Sequence, residues 1–237
     1  MKVCLIPPDG LLHKKLDMDF VLAHRVIQSS KYRSHYPRED TYKILDNGAY
    51  ERDRMDMYDI LDMANEMSAD EVILPDIIMQ RLPRLFYQDL IPSLPKNYNY
   101  MVVPQGNDPL EYREAYNELK DLDGIHSLGI PIWLDKEFGS RLSVTMHMFR
   151  KGELNLALDH HLLGLDNYWE LMCYPPGLIR SVDTSMPFSM AYSKESSTMY
   201  YDPPEHQRVP DDASIMDMDL GILNNEISML REITRMV

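Results

Sequence analysis

The chain is short of cysteine, of positive charge and of long apolar runs, and each shortage removes a class of protein. Two cysteines in 237 residues, Cys4 and Cys173, build neither a disulfide framework nor a Cys-rich zinc site. Both stand in apolar surroundings and read as buried thiols of a reduced, cytoplasmic protein. Lys and Arg number 24 against 38 Asp and Glu, a net charge of −14. That balance argues against a broad phosphate-binding face, which needs clustered cations, and leaves room only for a local basic groove. No apolar run is long enough to span a bilayer, so no membrane partner is expected. The first residues, MKVCLIPP, lack a signal-peptide h-region and read as a strand. No Gly-rich phosphate fingerprint follows that strand, so a dinucleotide fold finds no support.

What is present is alternation. Short apolar runs at 2–6, 42–45, 71–74, 100–103, 126–130, 161–165 and 180–183 read as strands. Between them lie helical stretches at 19–29, 55–68, 81–90, 109–121, 141–152 and 167–173. Units of roughly 30 residues, strand then helix, suit a parallel sheet, and seven such strands in sequence suit a (β/α)8 barrel better than an open sheet. At 237 residues it is a trimmed, single-domain TIM-type barrel with an irregular last unit. The helix from Pro109 has the best start signal: Asp108 as cap, Pro at the first position and Glu111 completing a capping box. The 18 methionines read as adaptable core filler. After Phe188 the pattern fails. Residues 193–212 read as a long loop, with Met199-Tyr200-Tyr201 as a weak eighth strand, and 219–236 as a closing helix.

Asp183 ends the strand run Arg180-Ser181-Val182, the position where parallel α/β enzymes keep their chemistry. An Asp there is also the ordinary cap of a following turn. Three earlier runs end the same way, in Asp46-Asn47-Gly48-Ala49-Tyr50, in Pro75-Asp76 and in Pro104-Gln105-Gly106. His160 and His161, beside Asp159, invite a metal reading, but they start an apolar strand with no Cys or Glu at ligand spacing, and no metal is expected. Arg141, Arg180 and Lys194 are the few cations near the expected mouth. They suit phosphate contacts, or pairing with the many carboxylates.

Taken in order, the segments DNGAYE (46–51), VVPQG (102–106), LLGL (162–165) and VDTSMP (182–187) resemble signature segments of the tRNA-guanine transglycosylase superfamily. The resemblance spans about residues 42–188. It implies exchange of a guanine for a 7-deazaguanine through a covalent glycosyl-enzyme intermediate. Asp183 matches the family's nucleophile and Asp46 its acid/base. Two inversions then retain stereochemistry, and the two carboxylates are expected on one cleft, within roughly 5–8 Å. Asp76 and Gln105 would read the base: a carboxylate accepts from an amidine edge, and an amide donates to the base carbonyl. Asn47 belongs to the same base-binding set. Gly106 and Gly129 would admit close backbone, and Tyr50 and Leu163 would stack on the two base faces, although turn glycines and core side chains are their bland alternatives. No cofactor is implied.

The chain departs from the tRNA enzymes of that family. It has no three-Cys, one-His zinc site, and the basic run after the late Asp-x-x-x-Pro element is replaced by Phe188-Ser189-Met190-Ala191-Tyr192. In this it is similar to the short, often phage-encoded relatives that insert 7-deazaguanines such as preQ0 into DNA, which act in the host cytoplasm. The resemblance therefore implies DNA as the polymer, with tRNA the alternative and a non-catalytic nucleobase-binding barrel the rival. A partner protein or a second copy is a possible source of the missing basic surface. Tyr200 and Tyr201 in the long loop are expected to stack on flanking bases.

Overall fold

In the computed structural model, which describes residues 1–38, 40–50, 55–138, 140–194 and 209–237, Lys2 lies beside Ser181 and Cys4 beside Asp183. This parallel pairing of β1 (Lys2–Leu5) with β8 (Ser181–Thr184) closes a ring. Between them run β2 (Met18–Val21), β3 (Lys43–Leu45), β4 (Glu71–Ile73), β5 (Asn99–Val102), β6 (Ser127–Pro131) and β7 (Asp159–Leu163). Each is parallel to its neighbours, in the order β1 to β8. The expected (β/α)8 barrel is the fold. No helix among the described residues is long and apolar enough to cross a membrane.

Strand periodicity divides the apolar residues between two cores, because successive side chains leave a strand on opposite faces. Cys4, Met18, Phe20, Ile44, Ile73, Met101 and Val103 fill the inside of the barrel. Their neighbours Val3, Leu5, Val21, Leu45, Val72 and Val102 face outward, into the core shared with the helices. The floor of the barrel is polar. Glu71 is fully buried there, accepts from Tyr42 Oη (3.0 Å) and Ser127 Oγ, and pairs with Arg180 (2.8 Å).

The helices are α1 (Ala23–Gln28), α2 (Ser30–His35), α3 (Met57–Met67), α4 (Arg84–Leu90), α5 (Pro109–Leu119), α6 (Trp133–Phe138), α7 (Arg141–Arg150), α8 (Tyr168–Met172), α9 (Met186–Ser193) and α10 (Leu220–Met236). Asp108 caps α5 through the amides of Leu110 and Glu111, both at 2.8 Å. Glu111, however, reaches back to the amide of Asn107 (2.8 Å) rather than to that of the cap. The closing helix α10 lies where expected, capped by Asp219 and buried along Leu223, Leu230 and Ile233.

The structure corrects the sequence reading of the elements in several places. The stretch 19–29 is not one helix: β2 ends at Val21 and α1 starts at Ala23. Asp19, on the outer side of β2, broke the apolar run that would have marked a strand, and it is held by Thr41. Regular structure also continues past Phe188, as α9. Met186, Phe188, Ser189, Met190 and Ala191 are all buried, so this helix has no polar face to give it a period. Cys4 is buried in the barrel, but Cys173 is exposed after α8. The eighth strand is β2, and Met199-Tyr200-Tyr201 lies outside the described residues, as do the proposed stacking residues Tyr200 and Tyr201.

Candidate active site

The C-terminal ends of the strands open into a cavity of about 440 Å³, within the size range of small-molecule sites. Asp46, Asn47, Tyr50, Asp76, Gln105, Leu163 and Asp183 all line it. They come from the ends of β3, β4, β5, β7 and β8, so the barrel itself brings together residues more than 130 positions apart.

Asp183 is inside β8, 5% exposed, and its Oδ1 accepts two hydrogen bonds: from the Gly164 amide (2.9 Å) and from His161 Nε2 (3.1 Å). Asp46 directly follows β3 and is half-buried, and its Oδ2 accepts from the Gly48 amide (3.0 Å). Gly48 is at φ +71°, the left-handed region that favours glycine, so the turn folds back onto the Asp46 carboxylate. Both carboxylates stand at strand ends and line one cavity.

Asp76 and Gln105 form a fixed unit. Asp76 Oδ2 accepts from Gln105 Nε2 (2.5 Å) and its Oδ1 from Asn47 Nδ2 (2.7 Å). The Gln105 carbonyl accepts from Trp133 Nε1 (2.7 Å) and from the Met79 amide (3.1 Å), which fixes which way the amide points. Burial pushes the Asp76 carboxyl up to about 6, against the opposing pull of the hydrogen bonds from Asn47 and Gln105. Asp76 therefore presents acceptor lone pairs beside the second N–H of Gln105. An acceptor next to a donor complements a lactam edge, whose ring N–H and carbonyl stand side by side.

Other expected roles change. Asn47 uses both amide hydrogens, on Asp76 and on the Leu74 carbonyl (2.8 Å), while its oxygen accepts from Ala49. It braces Asp76 and has no donor left for a base. Gly106 does not line the cavity: a Cβ there would stand 2.5 Å from the Tyr112 nitrogen, so it is glycine because α5 packs against it. Gly129 faces the barrel interior, where a Cβ would meet Leu163 and Val103 at 2.9 Å. It makes room for Leu163 and does not touch the cavity. Tyr50 is 65% exposed at the rim.

The cations are corrected most. Arg141 is fully buried. It makes a two-pronged pair with Glu170 (2.9 and 2.6 Å) and donates to the carbonyls of Ile130, Leu163 and Gly164. It clamps the ends of β6 and β7 and cannot meet a phosphate. Its consequence for the site is direct, since the Gly164 amide it orients is one of the two donors to Asp183. Arg141→Ala should cost about 3–5 kcal/mol, because it strands a buried Glu170 charge. Arg141→Lys should not restore this, lacking the fork. Urea unfolding measures it, and a loss below about 1 kcal/mol would contradict the clamp. Arg180 directly precedes β8, at the opposite end of the barrel, paired with Glu71 and Asp159. Lys194 is exposed and caps the far end of α9, about 12 Å of helix from the strand ends.

Sequence reasoning missed Arg25, the one cation among the described residues lining the cavity. It is 2% exposed, bonded to the Pro7 carbonyl (2.7 Å) and to Asp9, and 3.8 Å from Asp211. It also missed Trp133, because an aromatic on an unrecognised helix gives no periodic signal. His160 and His161 point to opposite faces of β7. His160 packs outward on Tyr116 (2.7 Å to its hydroxyl), and burial lowers its pKa to about 4. Among the described residues no group of three or more His, Cys, Asp or Glu is placed to hold a metal ion. A scan against protein-family models finds no match, and a search of curated proteins finds none either.

Proposed function

We propose that the protein is a guanine transglycosylase that exchanges a guanine in DNA for preQ0 or a related 7-deazaguanine. The observation that carries this reading is the braced Asp76–Gln105 pair on the same cavity as Asp46 and Asp183. Guanine and its 7-deaza analogues offer an N1–H and a 2-amino group to a carboxylate, and a C6 carbonyl to an amide N–H. The remaining carboxylates, Asp46 and Asp183, line the same cavity. Asp183 attacks the sugar carbon as the bond to guanine breaks, and Asp46 gives the departing base a proton. Asp46 then takes the proton of the incoming base, whose nitrogen displaces Asp183 from the sugar. Tyr50 and Leu163 are the candidates for stacking on the base.

DNA is favoured by the resemblance to short family members and by Phe188-Ser189-Met190-Ala191-Tyr192 standing where the tRNA enzymes have a basic run. The net charge of −14 means weak, salt-sensitive association by the chain alone. The test incubates the full chain with labelled preQ0 and either guanine-containing oligodeoxynucleotides or tRNA, followed by mass spectrometry of the nucleosides. Labelled deazanucleoside is expected from DNA, and sooner from single-stranded or mismatched than from duplex DNA, since less unpairing is needed. Label in tRNA alone would move the reading to the tRNA enzyme. Label in neither, with base binding intact, would favour a non-catalytic barrel.

A further inference from the structure

Among the described residues, His161 is the side chain that reaches Asp183 with a hydrogen bond from inside the barrel. Its ring is fully buried and stacked on Phe20, centroids 5.5 Å apart and planes within 2° of parallel. Its Nδ1 is 2.8 Å from Ser181 Oγ, which in turn accepts from Arg180 Nε (3.1 Å). Its Nε2 is 3.1 Å from Asp183 Oδ1. A carboxylate only accepts, so the hydrogen lies on Nε2 and His161 donates. The Ser181 hydroxyl holds the other ring nitrogen and Phe20 holds the ring plane, so the donor has one position.

We propose that His161 is a positioning residue that selects which oxygen of Asp183 attacks; this rests on the transglycosylase reading above. Oδ1 carries both donors, the His161 ring and the Gly164 amide, which come from β7 and the residue after it. Oδ2 has no hydrogen-bond partner among the described residues. With Oδ1 tied down, the carboxylate cannot rotate about its terminal bond, a torsion that is otherwise broad. Oδ2 therefore keeps its lone pairs for the sugar carbon. When the ester forms through Oδ2, Oδ1 becomes its carbonyl oxygen. When the incoming base nitrogen displaces the ester, the electron pair of the breaking C–O bond returns to the carboxylate. The two donors then meet the charge already in place, so His161 acts on both half-reactions without giving up a proton.

The test compares His161→Phe and His161→Gln with the wild type. Phenylalanine keeps the stack on Phe20 and most of the volume but has no donor. Glutamine keeps an N–H that can reach the carboxylate. Loss of a hydrogen bond to a charged group predicts a roughly 10–100-fold fall in kcat for His161→Phe, with KM for the free base within about threefold. His161→Gln should recover most of that fall. A kcat for His161→Phe within threefold of wild type, in a protein that unfolds at the same urea concentration, would overturn the proposal. A proportional rise in KM, or no recovery in His161→Gln, would overturn it as well, by reducing His161 to a packing residue. Independently of turnover, the wild-type ring should give a slowly exchanging Nε2–H resonance in 15N-labelled protein, and Asp183→Leu should abolish its protection. Absence of that resonance from the wild type overturns the donation even if exchange is active. Its presence in a protein that exchanges no base overturns the reaction, not the hydrogen bond.

Discussion

Asp183→Asn is expected to stop base exchange, with turnover down at least about 10⁴-fold, while the free base binds within a factor of three of wild type. The substitution is nearly isosteric. The asparagine oxygen can still accept from Gly164 and His161, so the local structure has no reason to move. Only the second oxygen is lost, replaced by an NH2 that is no nucleophile. Asp76 and Gln105, proposed to read the base, follow other strands, β4 and β5, and are untouched. Exchange of labelled guanine measures the loss, and denaturing gels of a trapped oligonucleotide adduct show whether the ester forms. An adduct trapped by the Asp183→Asn protein would remove Asp183 from the nucleophile's role.

Asp76→Ala is expected to weaken guanine binding about 100-fold or more, since two hydrogen bonds to a charged acceptor, each worth about 1.5–3 kcal/mol, are lost together. The pH dependence carries a second signature. The Asp76 carboxyl is raised to about 6 by burial, and only its ionised form accepts both base donors. Wild-type affinity should therefore rise with pH through about 6 and then level, and this step should vanish in Asp76→Ala. The effect on stability has the opposite sense. A buried carboxyl with a raised pKa binds more protons folded than unfolded between its ordinary value and about 6, so its contribution to stability grows as pH falls across that window. Removing the charge relieves this cost but leaves the Asn47 and Gln105 donors without their acceptor. These changes oppose each other, so calorimetric titration of the base, not melting temperature, decides the role. A wild-type affinity flat from pH 5 to pH 8 would count against Asp76 as the reader.

The parts of the fold legible in the sequence were those governed by local pattern. Apolar runs at 42–45, 71–74 and 100–103 read as strands because both of their faces are buried. The position of a polar residue just past each run placed Asp46, Asp76, Gln105 and Asp183 at one end of the barrel, which is where they stand. What was not legible depended on partners far away in the chain. Arg141 and Arg180 look like any surface cations until Glu170 and Glu71 are seen beside them. Asn47 reads as a base contact by its neighbourhood to Asp46, yet its hydrogens are consumed by Leu74 and Asp76. Gly106 is demanded by the packing of α5, which no spacing rule reports. His161 drew notice for its neighbour His160, when the strand period sends the two to opposite cores and only its partner Asp183 gives it meaning.

The seam between β1 and β8 has a consequence for how the site comes into being. Cys4 faces Asp183 across that seam, and burial together with the Asp183 charge pushes the Cys4 thiol well up, keeping it protonated beside the carboxylate. Lys2 and Ser181 pair across about three quarters of the chain, a costly kind of contact for a folding polypeptide to form early. The Asn47–Asp76–Gln105 unit comes from the ends of β3 to β5, neighbours in sequence, with Trp133 of α6 added as the donor to Gln105. The carboxylate proposed to attack waits for β8 to find β7 on one side and β1 on the other. In the proposed reaction, the group that would attack the sugar therefore joins the site only when the barrel closes, after the residues proposed to hold the base are already in the chain.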